Sequence, residues 1–415
     1  MLNALVQVLT LVYGLSINFL TPAVYGLAGY GEFIALNALV FLVHRSLTII
    51  CEPLIRFTDA RSLIYSALML NGGVFILFTL ITAIHPIGSP LLLFGMLLSS
   101  AVLLSLQALR LRRAYSAFLC VATGLFLALL LYAYVTDLSL PLVRAMEVSA
   151  TIPALIWLVF VLRNSDDHPR GQELLATVKN LLRQVPQLLT MTAVMNLFMS
   201  ALPVFFARTL VPYDLGLFRV MTSVIQSSAS LFPISTQALL ATFVQHAKGR
   251  ELFALVEELA TLYFAAIAAV LMLLGLVVPA AVPYVSLVAC LPVYYRAILL
   301  ERHLTARHRT SLLMGINLLV AVPALAVVPS INTVEGATML YATGFTAYAV
   351  VMAAMRRGFV QQLPTLIVML ACPLAVMLTR GDMRFGLFYI ALVVLVELMR
   401  RRPTKAAVLR LWREM

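Results

Sequence analysis

GEFIALNALVFLVHRSLTIICEPLIR, Gly31 to Arg56, is an apolar run of helical length that carries His44, Arg45 and Glu52 in its interior. At 100° per residue, Asn37, His44, Arg45, Thr48 and Glu52 fall within about 100° of one helix face, with Phe41 in the same arc. An arginine inside a membrane helix costs at least a few kcal/mol and is aimed at a water-filled cavity or a partner. This stretch therefore reads as one wall of a hydrophilic path through an apolar protein.

Composition supports the membrane reading. Of 415 residues, 62% are hydrophobic and only 11% charged, at a mean hydropathy of +1.01, too few charges to cover a soluble surface of this size. The formal charge of +12 is spread in short clusters between apolar runs, which argues against a nucleic-acid partner. Cys51, Cys120, Cys290 and Cys372 sit inside apolar runs without metal-ligand or disulfide spacing, as small buried hydrophobes do. Met1–Leu20 lacks a basic leader region and reads as a first span.

At roughly 20 residues per span, the chain divides into fourteen, near 2–20, 31–55, 62–84, 88–109, 114–135, 140–162, 186–207, 215–245, 253–278, 280–300, 311–329, 335–355, 361–379 and 384–399. The fold class is an all-α polytopic membrane protein. With both termini cytoplasmic, inner segments hold 22 of the 29 lysines and arginines, and outer connections hold Arg208, Arg380 and Arg384. The 380–384 connection alone runs against the distribution.

Several spans carry polar faces. In the first, Asn3, Gln7, Thr10, Gly14, Asn18 and Thr21 recur at helical spacing; a helix-packing seam would look the same. Spans three to five read as apolar scaffold. Arg144 and Glu147 in span six have the spacing of a self-neutralising i,i+3 pair. Residues 163–185 form a cytoplasmic linker with an amphipathic helix from about Gln172. Glu257 and Glu258, then Arg296 and Glu301, lie near cytoplasmic helix ends. Snorkelling accounts for them there, or pairing with Lys248 and Arg250 for the two glutamates.

The second half echoes the first. At an offset of 185 residues Gly31 aligns with Gly216, Phe33 with Phe218, Asn37 with Thr222, Arg45 with Ser230 and Glu52 with Gln237. Span eight places Arg219, Ser223, Gln226, Ser230 and Gln237 on one face, with Pro233 to kink it. Internal repeats with polar, broken helices at matching positions point to a transporter with its site between the halves.

The GYGEF turn after span one, the LGLF turn before a long span containing Pro233, Ile234 and Ser235, and the two-half layout resemble the bacterial polysaccharide flippases. Those belong to the superfamily of the lipid II flippases and the MATE drug exporters. The resemblance implies two pseudo-symmetric six-helix lobes, 1–162 and 186–355, enclosing a central cavity; the segmentation itself adds two helices in 356–399 and a basic tail at 400–415. The resemblance also implies alternating access, with an undecaprenyl-diphosphate-linked oligosaccharide as cargo and other membrane proteins of polysaccharide assembly as partners. Cationic cavity residues then meet the diphosphate, and Arg45, Arg219 and Arg144 are the positions that fit. Asn37, His44, Gln226, Ser230 and Gln7 are further substrate-binding candidates. The first span lacks the basic residue frequent near the N-terminus of these flippases and the acidic residue that couples cations in many MATE exporters. Glu52 and Glu147 are the candidates for coupling to H+ or Na+; no cofactor is expected.

Two rivals stand beside this reading. A polymerase or ligase acting on the same lipid-linked sugars needs a catalytic ledge outside the membrane, whereas every outer connection here is about ten residues or shorter. A MATE-like exporter of cationic drugs needs unpaired carboxylates in its cavity, whereas the most central charge here is Arg45. No phosphate-binding Gly-Lys-Ser/Thr loop is present, which argues against direct ATP drive.

Overall fold

The computed structural model describes residues 12, 14, 16–51, 60–109, 111–136, 140–164, 171–229, 249–306, 309–355 and 359–400. These are helical with no strand, and ten helical stretches are long and apolar enough to cross a membrane. The chain is an all-α, multi-pass membrane protein. Hydrocarbon leaves a spanning backbone no alternative but to satisfy its N–H and C=O groups within each segment.

The ten fall short of fourteen for local reasons. Most of the first expected span lies outside the described residues. Its end, a π-helical turn at Ser16–Leu20, runs into α1 (Thr21–Cys51), so the two count as one stretch. The expected turn between spans one and two shrinks to a break at Gly26, whose φ of 75° interrupts the helix. Span seven is broken by a π-helical turn at Leu197–Ala201, and span eight is described only to Ala229. The last span carries Arg384, Glu397 and Arg400.

The chain forms two compact units, Met1–Gly216 and Leu217–Met415. In the first, α2 (Ala60–Ile84), α4 (Arg112–Val135) and α5 (Leu142–Arg163) pack with α1 around α3 (Pro90–Ala108). Helix α3 has no charged residue and starts cleanly. Ser89 is its N-cap, its Oγ accepting from the Leu92 N–H at 3.1 Å, and Pro90 needs no N–H there. Gly95 lets α3 and α5 approach, since a Cβ there would stand 3.1 Å from both the Ala150 Cβ and the Thr151 nitrogen. Leu98, Val102, Leu106, Phe118, Ala154 and Val161 form the core beyond it, closed by Trp157, whose indole N–H donates to the Ala114 carbonyl at 3.1 Å.

The amphipathic helix expected from about Gln172 is α6 (Gly171–Met191). It continues through Pro186 rather than ending at a linker, and packs Val178 and Leu181 inward beside α1 and α2. After α7 (Ala193–Asn196), the π-helical turn and α8 (Leu202–Phe206), α9 (Pro212–Ala229) starts in the first unit.

There the paired glycines of the sequence echo meet. A Cβ on Gly31 would collide with the Pro212 carbonyl and stand 3.1 Å from the Gly216 nitrogen. A Cβ on Gly216 would collide with the Leu27 carbonyl and stand 3.2 Å from the Gly31 nitrogen. Each glycine thus meets the residue four positions before its counterpart, a reciprocal contact of two-fold character.

In the second unit α10 (Gly249–Val277) is followed by short turns, among them α11 (Val282–Val285), that lead through Ser286–Cys290 into α12 (Leu291–Ala306). The α12 segment is the buried axis of this unit. It touches α10, α13 (Thr310–Val327) and α14 (Val334–Ala354). The closing helices α15 (Phe359–Leu370), α16 (Cys372–Gly381) and α17 (Met383–Arg400) pack inside the unit, α17 against α10 and α16 against α14 and the 286–290 turn.

The glycine contact is testable. Gly31→Ala and Gly216→Ala should each lower the stability of the purified protein by about 1–3 kcal/mol through overpacking. Gly72→Ala, where nothing lies within 4 Å, should leave it unchanged or raise it by up to about 1 kcal/mol. Melting temperatures of the three variants check this.

Candidate functional site

Three side chains of the Gly31–Arg56 stretch orient helix α1. Asn37 is buried, donating from Nδ2 to the Phe33 carbonyl at 3.1 Å and accepting at Oδ1 from the Ser89 N–H at 3.1 Å. The His44 Nε2 lies 2.7 Å from the Ser100 Oγ, and the Thr48 hydroxyl donates to the His44 carbonyl at 2.9 Å, 3.4 Å from the same serine. All three therefore face α3. Arg45, about 100° further round, is exposed, and among the described residues no carboxylate pairs with it. The polar stripe read from the sequence is thus split: one edge is spent on packing, and Arg45 projects away from it.

Asn37 also connects to two other candidates. The hydroxyl of Ser89 donates to Oε1 of Glu147, whose Oε2 lies 2.6 Å from Arg144 Nη1. This relay joins α1, the start of α3 and α5. Glu147 is 4% exposed and held on both oxygens, whereas Arg144 is 61% exposed. The i,i+3 pair expected from sequence forms, with the arginine at the surface.

In the second unit Arg219 and Gln226, both half-buried, lie close to Tyr341 of α14, whose ring meets Phe218 edge-on at 6.3 Å. Thr222, between them, donates to the Arg219 carbonyl at 3.0 Å. Gln7, Glu52 and Ser230 lie outside the described residues.

The sequence reading offers snorkelling or pairing with Lys248 and Arg250 for the charges at these helix ends; the structure pairs Glu257 with Arg296 instead. Arg296 on α12 is 3% exposed. Its Nε donates to Glu257 Oε1 of α10 at 2.8 Å, and its Nη1 to Glu397 Oε1 of α17 at 2.8 Å. The guanidinium is thus buried among helices and compensated by carboxylates inside the protein. A cavity of about 20 Å³ beside it, lined by Thr261, Thr365, Tyr389, Arg296 and Glu397, has room for one water molecule. One turn on, Glu301 Oε2 accepts from the Tyr348 hydroxyl at 3.1 Å, which in turn accepts from Asn317 Nδ2 at 3.1 Å.

Sequence reading missed Ser89, Ser100 and Glu397. Ser100, inside an apolar helix, carries no signal of its own, and Ser89 before Pro90 signals a helix start but not its bonds to Asn37 and Glu147. Glu397 was visible as a charge near a helix end, without a hint of its partner. Among the described residues no three His, Cys, Asp or Glu side chains gather as metal ligands. Compared with protein-family models, with curated proteins and with solved structures, the chain matches none.

Removing Arg296 strands two buried carboxylates. Arg296→Met should destabilise the purified protein by about 3–5 kcal/mol. The triple variant Arg296→Met/Glu257→Gln/Glu397→Gln should regain most of that loss. Thermal unfolding in one detergent compares them, and an unchanged midpoint for Arg296→Met would contradict the assignment.

Proposed function

We propose that the chain is a transporter rather than an enzyme. It carries an undecaprenyl-diphosphate-linked oligosaccharide from the inner to the outer leaflet of a bacterial inner membrane by alternating access, with both termini cytoplasmic. The observation that supports this is Arg45, exposed on a membrane helix whose rotation is set by the His44–Ser100 and Asn37–Ser89 bonds. A guanidinium so placed calls for water or an anion in front of it.

A sugar diphosphate cannot cross about 30 Å of hydrocarbon without a polar route, while its prenyl tail can stay in lipid. Arginine forks match phosphate oxygens, and amides and hydroxyls match sugar hydroxyls. In this reading Arg45, and separately Arg219, offers a guanidinium to phosphate and Gln226 an amide to sugar hydroxyls, while Gln7 and Ser230 are candidates from the sequence alone. Asn37 and His44 act by positioning α1, and Arg144 serves as an outlying cation. Directionality comes from H+ or Na+ coupling, with Glu52 and Glu147 as carriers, or from consumption of the product outside by the assembly proteins.

Substitution tests the role of Arg45. Arg45→Ala should give a folded, inserted protein that no longer supports polysaccharide export, because alanine is easier to bury than a charge. Arg45→Lys should retain part of the activity, since the charge stays while the bidentate fork is lost. Export in cells is measured beside the melting temperature of each purified variant. Normal export by a stable Arg45→Ala protein would refute the proposal.

A further inference from the structure

The segment 171–206 is longer than a membrane is thick. Helices α6 to α8 and the turns between them amount to about 54 Å of helix at 1.5 Å per residue, against about 30 Å of hydrocarbon. Its charged residues all fall in α6 before Pro186, and 187–206 has none. That apolar remainder is long enough to cross by itself, which leaves the start of α6 at the membrane surface.

Around this start the side chains follow an order. Val178 and Leu181, 7% and 4% exposed, are turned into the protein. At 100° per residue Leu182 and Leu175 come next on one flank, about 20° apart, and both are more than half exposed, at 52% and 59%. Lys179 and Arg183, one turn apart and exposed, follow at about 40° and 80° beyond Leu175. Exposed Gln187, Asn180 and Gln184 complete the circuit at about 120° to 180°. The one acidic residue of α6, Glu173, precedes both cations in the sequence.

A helix packed on a protein and otherwise bathed in water would be polar on both flanks of its buried face. Here Leu182 stands about 70° to one side of that face and Gln184 about 90° to the other, so one flank is apolar and the other carries an amide. Basic residues lie between them. This order, from apolar flank through cations to neutral amides, is that of a helix lying in a bilayer interface. We infer that residues 171–186 lie along the membrane surface and bind anionic phospholipid. Leu175 and Leu182 sit among the acyl chains, Lys179 and Arg183 reach phosphate oxygens at the level of the headgroups, and the amides meet water. The inference uses neither Arg45 nor the cargo proposed above, and it holds whichever way the chain is inserted.

Nitroxides on the full-length protein in vesicles test it. In a background with the four native cysteines replaced, Leu175→Cys, Leu182→Cys and Gln184→Cys are labelled singly. Collision with oxygen, which concentrates in lipid, is compared with collision with a water-soluble nickel chelate. In vesicles of phosphatidylcholine mixed with phosphatidylglycerol, the labels at 175 and 182 should favour oxygen and the label at 184 nickel. In phosphatidylcholine alone the oxygen preference at 182 should fall. Lys179→Gln/Arg183→Gln should cause the same fall in the mixed vesicles. It should shift the balance between docked and water-exposed label about thirtyfold, the worth of two basic residues at an anionic surface. Arg208→Gln/Arg384→Gln, which removes equal charge from two exposed arginines elsewhere, should change nothing. Nickel access at 175 and 182 equal to that at 184 would overturn the inference in favour of a solvated helix. Shielding from both reagents would overturn it in favour of a protein partner or a second copy. Equal behaviour with and without phosphatidylglycerol would refute the binding of anionic lipid.

Discussion

A membrane lobe cannot borrow hydrogen bonds from its solvent. Each polar side chain in these helices must find a partner inside the protein, reach water, or face a ligand. That constraint organises both units. In the first, Asn37, Ser89, Glu147 and Arg144 form a relay that ends at the surface, so the buried Glu147 carboxylate is held on both oxygens. In the second, Arg296 is buried between Glu257 and Glu397, and Glu301 is held by Tyr348, whose hydroxyl is in turn held by Asn317. Breaking such a pair costs far more than never having built it. These clusters therefore fix which helix faces which, more than they add net stability.

The same constraint gives Arg45 its meaning. Its neighbours on α1 have partners on α3, so the helix cannot rotate to hide the arginine without giving up the His44–Ser100 and Asn37–Ser89 bonds. The glycine contact between the starts of α1 and α9 adds a second restraint. Backbones there approach so closely that only hydrogen fits at Gly31 and Gly216. Helix α1 is thus held by polar bonds on one side and by close packing near its beginning.

How much could be read from the sequence follows from range. The spans were legible because apolar length is a local property, and the Arg144–Glu147 pair because i,i+3 neighbours meet on any helix. The close approach at Gly31 and Gly216 was foreshadowed by the 185-residue echo, though not as a direct meeting. The Arg296 cluster was not legible, since its partners lie 39 and 101 residues away and nothing local distinguishes a paired charge from a snorkelling one. Nor was the split of the Asn37–Arg45 stripe. Periodicity gives an arc, and Ser100, which decides which edge of that arc is buried, stands in an apolar run as an ordinary small residue. Broken helices were legible only as prolines: the single-residue break at Gly26 and the turns around Pro283 and Pro292 needed coordinates.

What Arg45 faces is the point on which the transport reading turns, and thiol accessibility measures it directly. In a background with Cys51, Cys120, Cys290 and Cys372 replaced, Arg45→Cys and Leu36→Cys place single thiols on α1, the latter at a position 67% exposed on an apolar flank. A charged, water-soluble methanethiosulfonate applied to membranes should modify position 45 quickly and position 36 slowly, since only thiolate in water reacts well. Equal, slow modification of both would place Arg45 against lipid or a protein partner, and would contradict the account.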